Sequence, residues 1–263
     1  MVIDTHCHLD AAEFDADRDT VVMQARAAGV KAIVIPAVQY ANFDAVLSIG
    51  QRYPSCLPAL GLHPMYIHTH LPEHLDSLRT AIEQHRPVAV GEIGLDFFVP
   101  GLDAAKQEYY FTEQLKIARD FELPVLLHSR RANDQAVKQL RRFGIRRGIA
   151  HAFSGSRQQA DAFIRIGFKL GFGGAMTYTR ASNLRSLAAE LALEDIVLET
   201  DSPDMSPAWL NQQRNSPDQL PRIATVLADL RGDTLDSVIH MTTHNAQSIL
   251  SLSPEGILHH GST

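Results

Sequence analysis

Histidine and carboxylate side chains follow short apolar runs at several points along this chain. Each of these runs is typical of a β-strand that is buried on both faces. In a parallel barrel the C-terminal ends of the strands meet at one face, where active sites are built. Imidazoles and carboxylates that converge there predict a site for divalent metal. The candidate ligands are His6, His8, Glu92, His128, His151 and Asp201.

The segment His6-Cys7-His8 is the sharpest local signal. Residues two apart in an extended strand face the same side, so both imidazoles can reach one ion. Cys7 then lies on the opposite face, where we expect a small buried hydrophobic residue. For any single histidine, a hydrogen-bonded polar residue at a strand end is the simpler interpretation. Six such residues at equivalent positions favour a shared site.

The order of apolar patterns along the chain predicts the fold. Strand patterns alternate with helical patterns over nearly the whole length, and this alternation is typical of parallel strands with crossover helices. Eight units in 263 residues match the ~250 residues of one barrel. We therefore predict an α/β fold, a (β/α)8 TIM barrel, as a single domain over 1–263. The tail from about residue 253 is expected to be disordered.

Composition and charge exclude several classes of function. Two cysteines are too few for a disulfide framework, and the formal net charge of −6 argues against a protein held on nucleic acid by a broad basic face. A transient nucleic-acid substrate stays possible, because bound metal supplies local positive charge. We find neither a secretory signal nor an apolar run long enough to span a membrane. A cytoplasmic protein without membrane attachment or a stable protein partner is expected.

Three segments resemble the signatures of the TatD family of metal-dependent hydrolases. They are Val2–Asp10, Pro124–Asp134 and Leu198–Pro203, and further family-like segments lie between them in the expected order. The resemblance thus covers essentially the whole chain. After Pro203 the pair Asp204-Met205 replaces the Tyr-Leu of the DNase-type members, which is similar to the YjjV-type branch.

The resemblance implies a TIM barrel of the amidohydrolase-like group with two divalent metal ions. In the family pattern His6, His8 and Asp201 hold one cation. His128 and His151 hold the second, and Glu92 bridges the pair. The donor types leave Zn, Mn, Mg, Ni and Co open as the metal.

The activity that the resemblance implies is hydrolysis of phosphoester bonds by a metal-activated hydroxide. A deoxyribonuclease or exonuclease-type phosphodiesterase that acts on DNA ends or nucleotides is the leading hypothesis. Asp201 and the bridging Glu92 are the predicted catalytic carboxylates, and Asp201 could also orient the attacking water and accept its proton. His63 follows another apolar run and is the third candidate catalytic residue. We expect it either to contact a substrate phosphate or to bind no ligand.

Arg130 is the second candidate for substrate binding. It follows His128 by two residues, so in an extended segment both side chains point the same way. The guanidinium fork suits phosphate. The alternative is an ion pair with a loop carboxylate such as Asp96. The remaining histidines, His70 among them, are expected to be surface or capping residues.

Two other functions compete with the leading hypothesis. The first is a metal-dependent acyl ester or amide hydrolase of the amidohydrolase type. The second is a non-catalytic metal-binding barrel, against which the bridging Glu92 and the position of Asp201 argue. Arg130 and the loop Ser154-Gly155-Ser156 favour phosphate over a carbonyl substrate.

Overall fold

Eight parallel strands follow one another in chain order around a single sheet. The computed structural model describes residues 1–252. Its strands are β1 (Val2–Asp4), β2 (Val30–Pro36), β3 (Cys56–Leu60), β4 (Ala89–Asp96), β5 (Val125–Arg130), β6 (Gly148–Ala150), β7 (Phe168–Phe172) and β8 (Ile196–Leu198). Its helices are α1 (Arg18–Ala27), α2 (Phe43–Arg52), α3 (Glu73–His85), α4 (Ala104–Asp120), α5 (Asn133–Phe143), α6 (Arg157–Ile164), α7 (Ser182–Glu190), α8 (Leu220–Arg231) and α9 (Leu235–Leu250). The predicted (β/α)8 barrel is confirmed.

The strands are buried because their apolar side chains fill the barrel and pack beneath the helices. Local signals set the ends of the helices. The Asp103 carboxylate accepts a hydrogen bond from the Lys106 N–H at the start of α4, which satisfies a free donor of the first turn. At the end of α5, Gly144 adopts a φ of 71°, a backbone conformation that favours glycine. Cys7 is fully buried, as expected for a small hydrophobic residue.

The barrel is closed by hydrogen bonds between the segments that follow β1 and β8. The Thr5 N–H donates to the Leu198 carbonyl at 3.1 Å, and the Asp201 N–H donates to the His6 carbonyl at 2.8 Å. Asp4 strengthens this junction from within, because its buried carboxylate accepts hydrogen bonds from both the N–H and the hydroxyl of Thr200. The closure therefore places two candidate ligands from opposite ends of the chain side by side.

The position of Glu92 differs from the sequence prediction. The sequence placed it after a short strand, whereas β4 continues to Asp96 and is buried along all eight residues. The register between β4 and β5 shifts between Val90 and Ile93, so the irregularity surrounds Glu92. A carboxylate can lie inside the strand because imidazoles surround it, which a short apolar run does not reveal.

The predicted tail from residue 253, with His259 and His260, lies outside the described residues. Within residues 1–252, no helix combines the length and the apolar character needed to cross a membrane.

Candidate metal centre

Glu92 lies at the centre of a cluster of imidazoles at the C-terminal mouth of the barrel. Its Oε2 atom is 3.1 Å from Nε2 of His6 and 3.6 Å from Nε2 of His8. Its Oε1 atom is 2.9 Å from Nδ1 of His128 and 3.1 Å from Nε2 of His151. The two oxygens of one carboxylate therefore face different sets of histidines, because His63 also lies 3.0 Å from Oε1.

Asp201 completes the first of these two groups. Its Oδ1 atom lies 3.8 Å from Nε2 of His6 and 3.6 Å from Nε2 of His8. The three ligand atoms are within 4.8 Å of one another, a spacing that could hold one cation. The structure thus brings together all six residues that the sequence singled out. Two further groups of ligand atoms lie within 4.8 Å of one another and overlap the first, namely His6, Glu92 and His151, and His63, Glu92 and His128.

The donor set around Glu92 fits a bound cation. His128 has its Nδ1 atom 2.9 Å from Glu92 and its Nε2 atom 2.9 Å from Oδ2 of Asp96. A neutral imidazole carries a single N–H, so one of its nitrogens turns a lone pair toward a carboxylate oxygen. A lone pair and a carboxylate oxygen repel each other unless a positive charge lies between them. A divalent metal with imidazole and carboxylate ligands supplies that charge.

The pKa values of the cluster show the same demand for positive charge. Burial would raise the pKa of Glu92, but the neighbouring imidazoles of His63, His151 and His6 hold it well below its usual range. Burial would lower the pKa of His128, yet its hydrogen bonds to carboxylates raise it. For His6 the outcome is the opposite, because burial prevails and lowers its pKa well below its usual range.

His63 is part of the cluster but differs from the six candidates. Its Nε2 atom is 3.0 Å from Oε1 of Glu92, and its Nδ1 atom accepts a hydrogen bond from the Met65 N–H. Burial lowers the pKa of His63 to about 4, so the ring is neutral at pH 7. A neutral ring that accepts at Nδ1 carries its proton on Nε2 and donates it to Glu92. In this arrangement His63 has no free lone pair for a cation, although its atoms lie close enough to be a ligand.

Two carboxylates behind the cluster have roles that the sequence analysis did not assign. Oδ2 of Asp96 is 2.9 Å from Nε2 of His128, and Oε1 of Glu199 is 3.6 Å from Nδ1 of His151. A carboxylate on the outer nitrogen of a metal-ligating histidine fixes the orientation of the ring and makes it a stronger ligand. His128 has such a partner at hydrogen-bond distance, whereas Nδ1 of His151 is near Glu199 but makes no hydrogen bond within the described residues.

The structure contradicts the alternative ion pair between Arg130 and Asp96. Asp96 is occupied by His128 and by the N–H groups of Phe98 and Val99, which donate to its Oδ1 atom. The Arg130 guanidinium instead lies over the Phe98 ring, with its central carbon 3.7 Å from the ring centroid. Asp96 pairs with His128 and not with Arg130 because His128 and Asp96 are both shielded from water, whereas the Arg130 side chain is exposed.

Two glutamines of α4 hold the backbone of the segments that carry the site. Oε1 and Nε2 of Gln107 bond the N–H and carbonyl of Asp96 at 2.8 and 2.9 Å. Gln114 bonds the N–H and carbonyl of Leu62 in the same way, at 2.7 and 3.0 Å. Each side-chain amide thus pairs one backbone N–H and one backbone carbonyl of the same residue. Gln107 fixes the residue behind His128, and Gln114 fixes the residue before His63.

The expectation that His70 is a surface or capping residue is wrong. His70 is 1% exposed, and its Nε2 atom is 2.9 Å from the carbonyl oxygen of His63. Its ring lies 5.4 Å from that of Tyr110 on α4. His70 therefore holds the backbone of His63 through this contact. The local sequence pattern does not distinguish the buried His70 from the exposed His68 two residues earlier.

The cluster opens into a cleft of about 820 Å³ that reaches Arg130 and Phe98. His128, His151 and Asp201 line the floor of this cleft. Asp204 and Met205, which follow the eighth strand, line its rim. A second cleft, lined by His8, Gln39 and Tyr66 among others, also reaches the candidate ligands.

Comparisons with known proteins agree with the fold and the site. The family model described as TatD related DNase matches residues 3–251. The chain is similar to the uncharacterized metal-dependent hydrolase YjjV of Escherichia coli K12, at 40% identity over 95% of this chain and 98% of that protein. It is also similar to human deoxyribonuclease TATDN3, at 33% identity over 93% of each.

A third relative is the 3'-5' ssDNA/RNA exonuclease TatD of Salmonella typhimurium, at 31% identity over 95% of this chain and 99% of that protein. The crystal structure of YjjV from Escherichia coli covers 96% of this chain and 98% of its own, with a TM-score of 0.93. The predicted similarity to the YjjV-type branch is confirmed.

Proposed function

The chain belongs to the TatD-related DNase family of metal-dependent hydrolases acting on ester bonds, and from this premise we propose that it is a phosphodiesterase with a two-metal centre. Its substrate in this proposal is the end of a nucleic-acid strand. His6, His8 and Asp201 would hold one cation, and His128 and His151 the other, with Glu92 between them.

The observation that carries this proposal is the orientation of Glu92. Its two oxygens face separate pairs of imidazoles, Oε2 toward His6 and His8 and Oε1 toward His128 and His151. A carboxylate can bridge two cations, whereas a neutral imidazole binds only one. His63 shares Oε1 as a hydrogen-bond partner, so the two oxygens of Glu92 are placed to serve two different cations.

Each polar group then has a distinct part in the reaction. Two divalent cations, when bound, activate a water molecule and neutralise charge on the phosphoryl oxygens. Burial raises the pKa of Asp201 to about 6, which its neighbours His151 and His8 only partly offset. Asp201 lines the cleft beside the candidate cations, where a carboxylate is placed to accept the proton of the attacking water. His63 donates to Glu92 and keeps the bridging carboxylate in place.

Arg130 supplies the contact that favours phosphate over a carbonyl group. It is exposed at the end of β5 and lines the same cleft as His128. A guanidinium offers two parallel donors to phosphate oxygens, a geometry that a small carbonyl does not match. The deoxyribonuclease and exonuclease names of the relatives favour a nucleic-acid strand as the source of that phosphate.

The test compares two substrates in one pair of variants. With equal metal loading, Arg130→Ala should lower kcat/KM for a phosphodiester by about 10- to 150-fold, since a charged hydrogen bond contributes about 1.5–3 kcal/mol. Turnover of a neutral carboxylic ester should change little. Arg141→Ala is the control, because Arg141 is an exposed arginine in the last turn of α5, at the end remote from the cleft.

Each outcome decides between the hypotheses. A loss confined to the phosphodiester supports the proposal. An equal loss on both substrates would make Arg130 a structural residue. Efficient turnover of the neutral ester without activity on any phosphodiester would favour the acyl or amide hydrolase instead.

A further inference from the structure

Phe98, Arg130 and Arg131 form a cluster at the rim of the cleft, which we call the arginine–phenylalanine cluster. The central carbons of the two guanidiniums lie 3.7 and 4.7 Å from the centroid of the Phe98 ring. The ring is 43% exposed. All three side chains line the cleft whose floor is formed by His128 and Asp201.

The charges of this cluster are free to bind an anion. Within residues 1–252, neither Arg130 nor Arg131 has a carboxylate within salt-bridge distance, whereas Arg79 and Arg214 are each paired with an aspartate. An arginine that lies on an aromatic ring keeps the N–H groups at its edge available. The cluster therefore combines two unpaired cations with an exposed aromatic surface.

The cluster is tied to the candidate metal centre by one residue. Oδ1 of Asp96 accepts the Phe98 N–H at 2.9 Å, and its Oδ2 is 2.9 Å from Nε2 of His128. The same carboxylate thus orients a candidate ligand and anchors the aromatic residue. A molecule bound on Phe98 would be held at a fixed position relative to that ligand.

We propose that Phe98, Arg130 and Arg131 form a subsite for the nucleotide next to the cleaved phosphodiester, with a base stacked on the cluster and its phosphate on the guanidiniums. This inference rests on the proposed function. Base stacking on aromatic and guanidinium surfaces does not depend on sequence, because every base has a flat face. The expected ligand is single-stranded, since bases in a duplex are not available for stacking.

The test measures binding to the metal-loaded full chain, with phosphorothioate oligomers that slow cleavage. One ligand is oligothymidine, and the other has the same backbone without bases. Phe98→Ala should weaken binding of oligothymidine by about tenfold, within the range for loss of one stacked base, and affect the base-free oligomer much less. Arg131→Gln should weaken both, with a shallower salt dependence.

Two variants serve as controls. Phe97→Ala removes the neighbouring exposed aromatic side chain, which in residues 1–252 has no arginine over its ring, and should bind both ligands like the wild type. Phe98→Tyr keeps an aromatic ring at this position and should bind oligothymidine like the wild type. Circular dichroism and melting curves check that the variants are folded.

An equal loss on both oligomers in Phe98→Ala would overturn base stacking, as would affinity unchanged from the wild type. The proposed function can fail separately, because binding is measured without turnover. If the wild-type enzyme cleaves no phosphodiester while Phe98→Ala still loses base-dependent affinity, the subsite stands and the phosphodiesterase proposal fails. If cleavage is efficient and Phe98→Ala binds normally, the subsite alone fails.

Discussion

Replacing Gln107 by leucine tests whether α4 positions the carboxylate behind His128. The side-chain amide of Gln107 makes two hydrogen bonds to the backbone of Asp96, and both residues are 1% exposed. Leucine is close to glutamine in volume, so the substitution leaves no large cavity. The substitution removes the side-chain partner of the buried Asp96 N–H and the side-chain partner of the buried Asp96 carbonyl.

The magnitude follows from these two unsatisfied groups. Each buried group without a partner costs about 1–3 kcal/mol, so Gln107→Leu should lower the free energy of unfolding by about 2–6 kcal/mol. In a chain of this size each 1 kcal/mol lowers Tm by about 2–4 °C. The measurement is urea unfolding in the presence of a chelator, so that bound metal does not contribute to stability.

Gln139→Leu is a matched control on the next helix. Gln139 is 4% exposed and donates to Glu108, while its Oε1 atom has no partner in the described part of the chain. Leucine there removes one hydrogen bond and also an unsatisfied oxygen, so the cost should stay below about 1 kcal/mol. Equal losses in the two variants would refute the argument from paired backbone groups.

The second measurement is metal affinity. Displacement of Asp96 frees the outer nitrogen of His128, and loss of such a partner typically weakens metal binding by about 10- to 100-fold. The weakening should affect the cation held by His128 and spare the one held by His6 and His8. If stability falls while both affinities are unchanged, Gln107 supports the fold and not the site.

Three further predictions concern the metals and the reaction. His128→Ala should lose one cation and keep the other, whereas Glu92→Ala should damage both sites; elemental analysis of the purified variants measures the stoichiometry, and an unchanged ratio in Glu92→Ala would exclude a bridge. Asp201→Asn should lower kcat by about 10²–10⁴-fold with part of the metal retained, and near-normal turnover would exclude Asp201 as the base. Despite burial, neighbouring carboxylates raise the pKa of His128 and His151, so metal must displace their protons. Affinity should therefore be higher at pH 8 than at pH 6, with proton release in calorimetry with two buffers, and a pH-independent affinity would contradict this.

The barrel and the convergence of the six candidate ligands could be predicted because each rests on a local pattern. Apolar runs mark buried strands. A polar residue near the C-terminal end of such a strand lies at the mouth of the barrel. The pattern was less reliable for β4, where Glu92 lies in the middle of a strand. Surrounding imidazoles make that burial possible, and they come from distant parts of the chain.

The residues that support the ligands were harder to predict. Gln107 and Gln114 are two helical turns apart, on the same face of α4 as Phe111 and Ala118. The two glutamines lie within the apolar face of the helix, and a buried amide needs hydrogen bonds. This position in the sequence therefore indicates that they bond to backbone groups. Asp96 and His70 gave no comparable signal, because their partners depend on how separate loops meet.

The described site therefore separates the parts that fix the metals from those that select the substrate. The candidate ligands lie within or just after the barrel strands. The glutamines of α4 hold the neighbouring backbone through two-point hydrogen bonds that allow little change. Phe98, Arg131 and the pair Asp204-Met205 lie on exposed loops around the same cleft. Loop residues can be exchanged without loss of the barrel. We therefore expect that relatives with different substrates share the six ligands and differ at Phe98 and Asp204, so that exchange of these loops should transfer substrate preference while metal content stays constant.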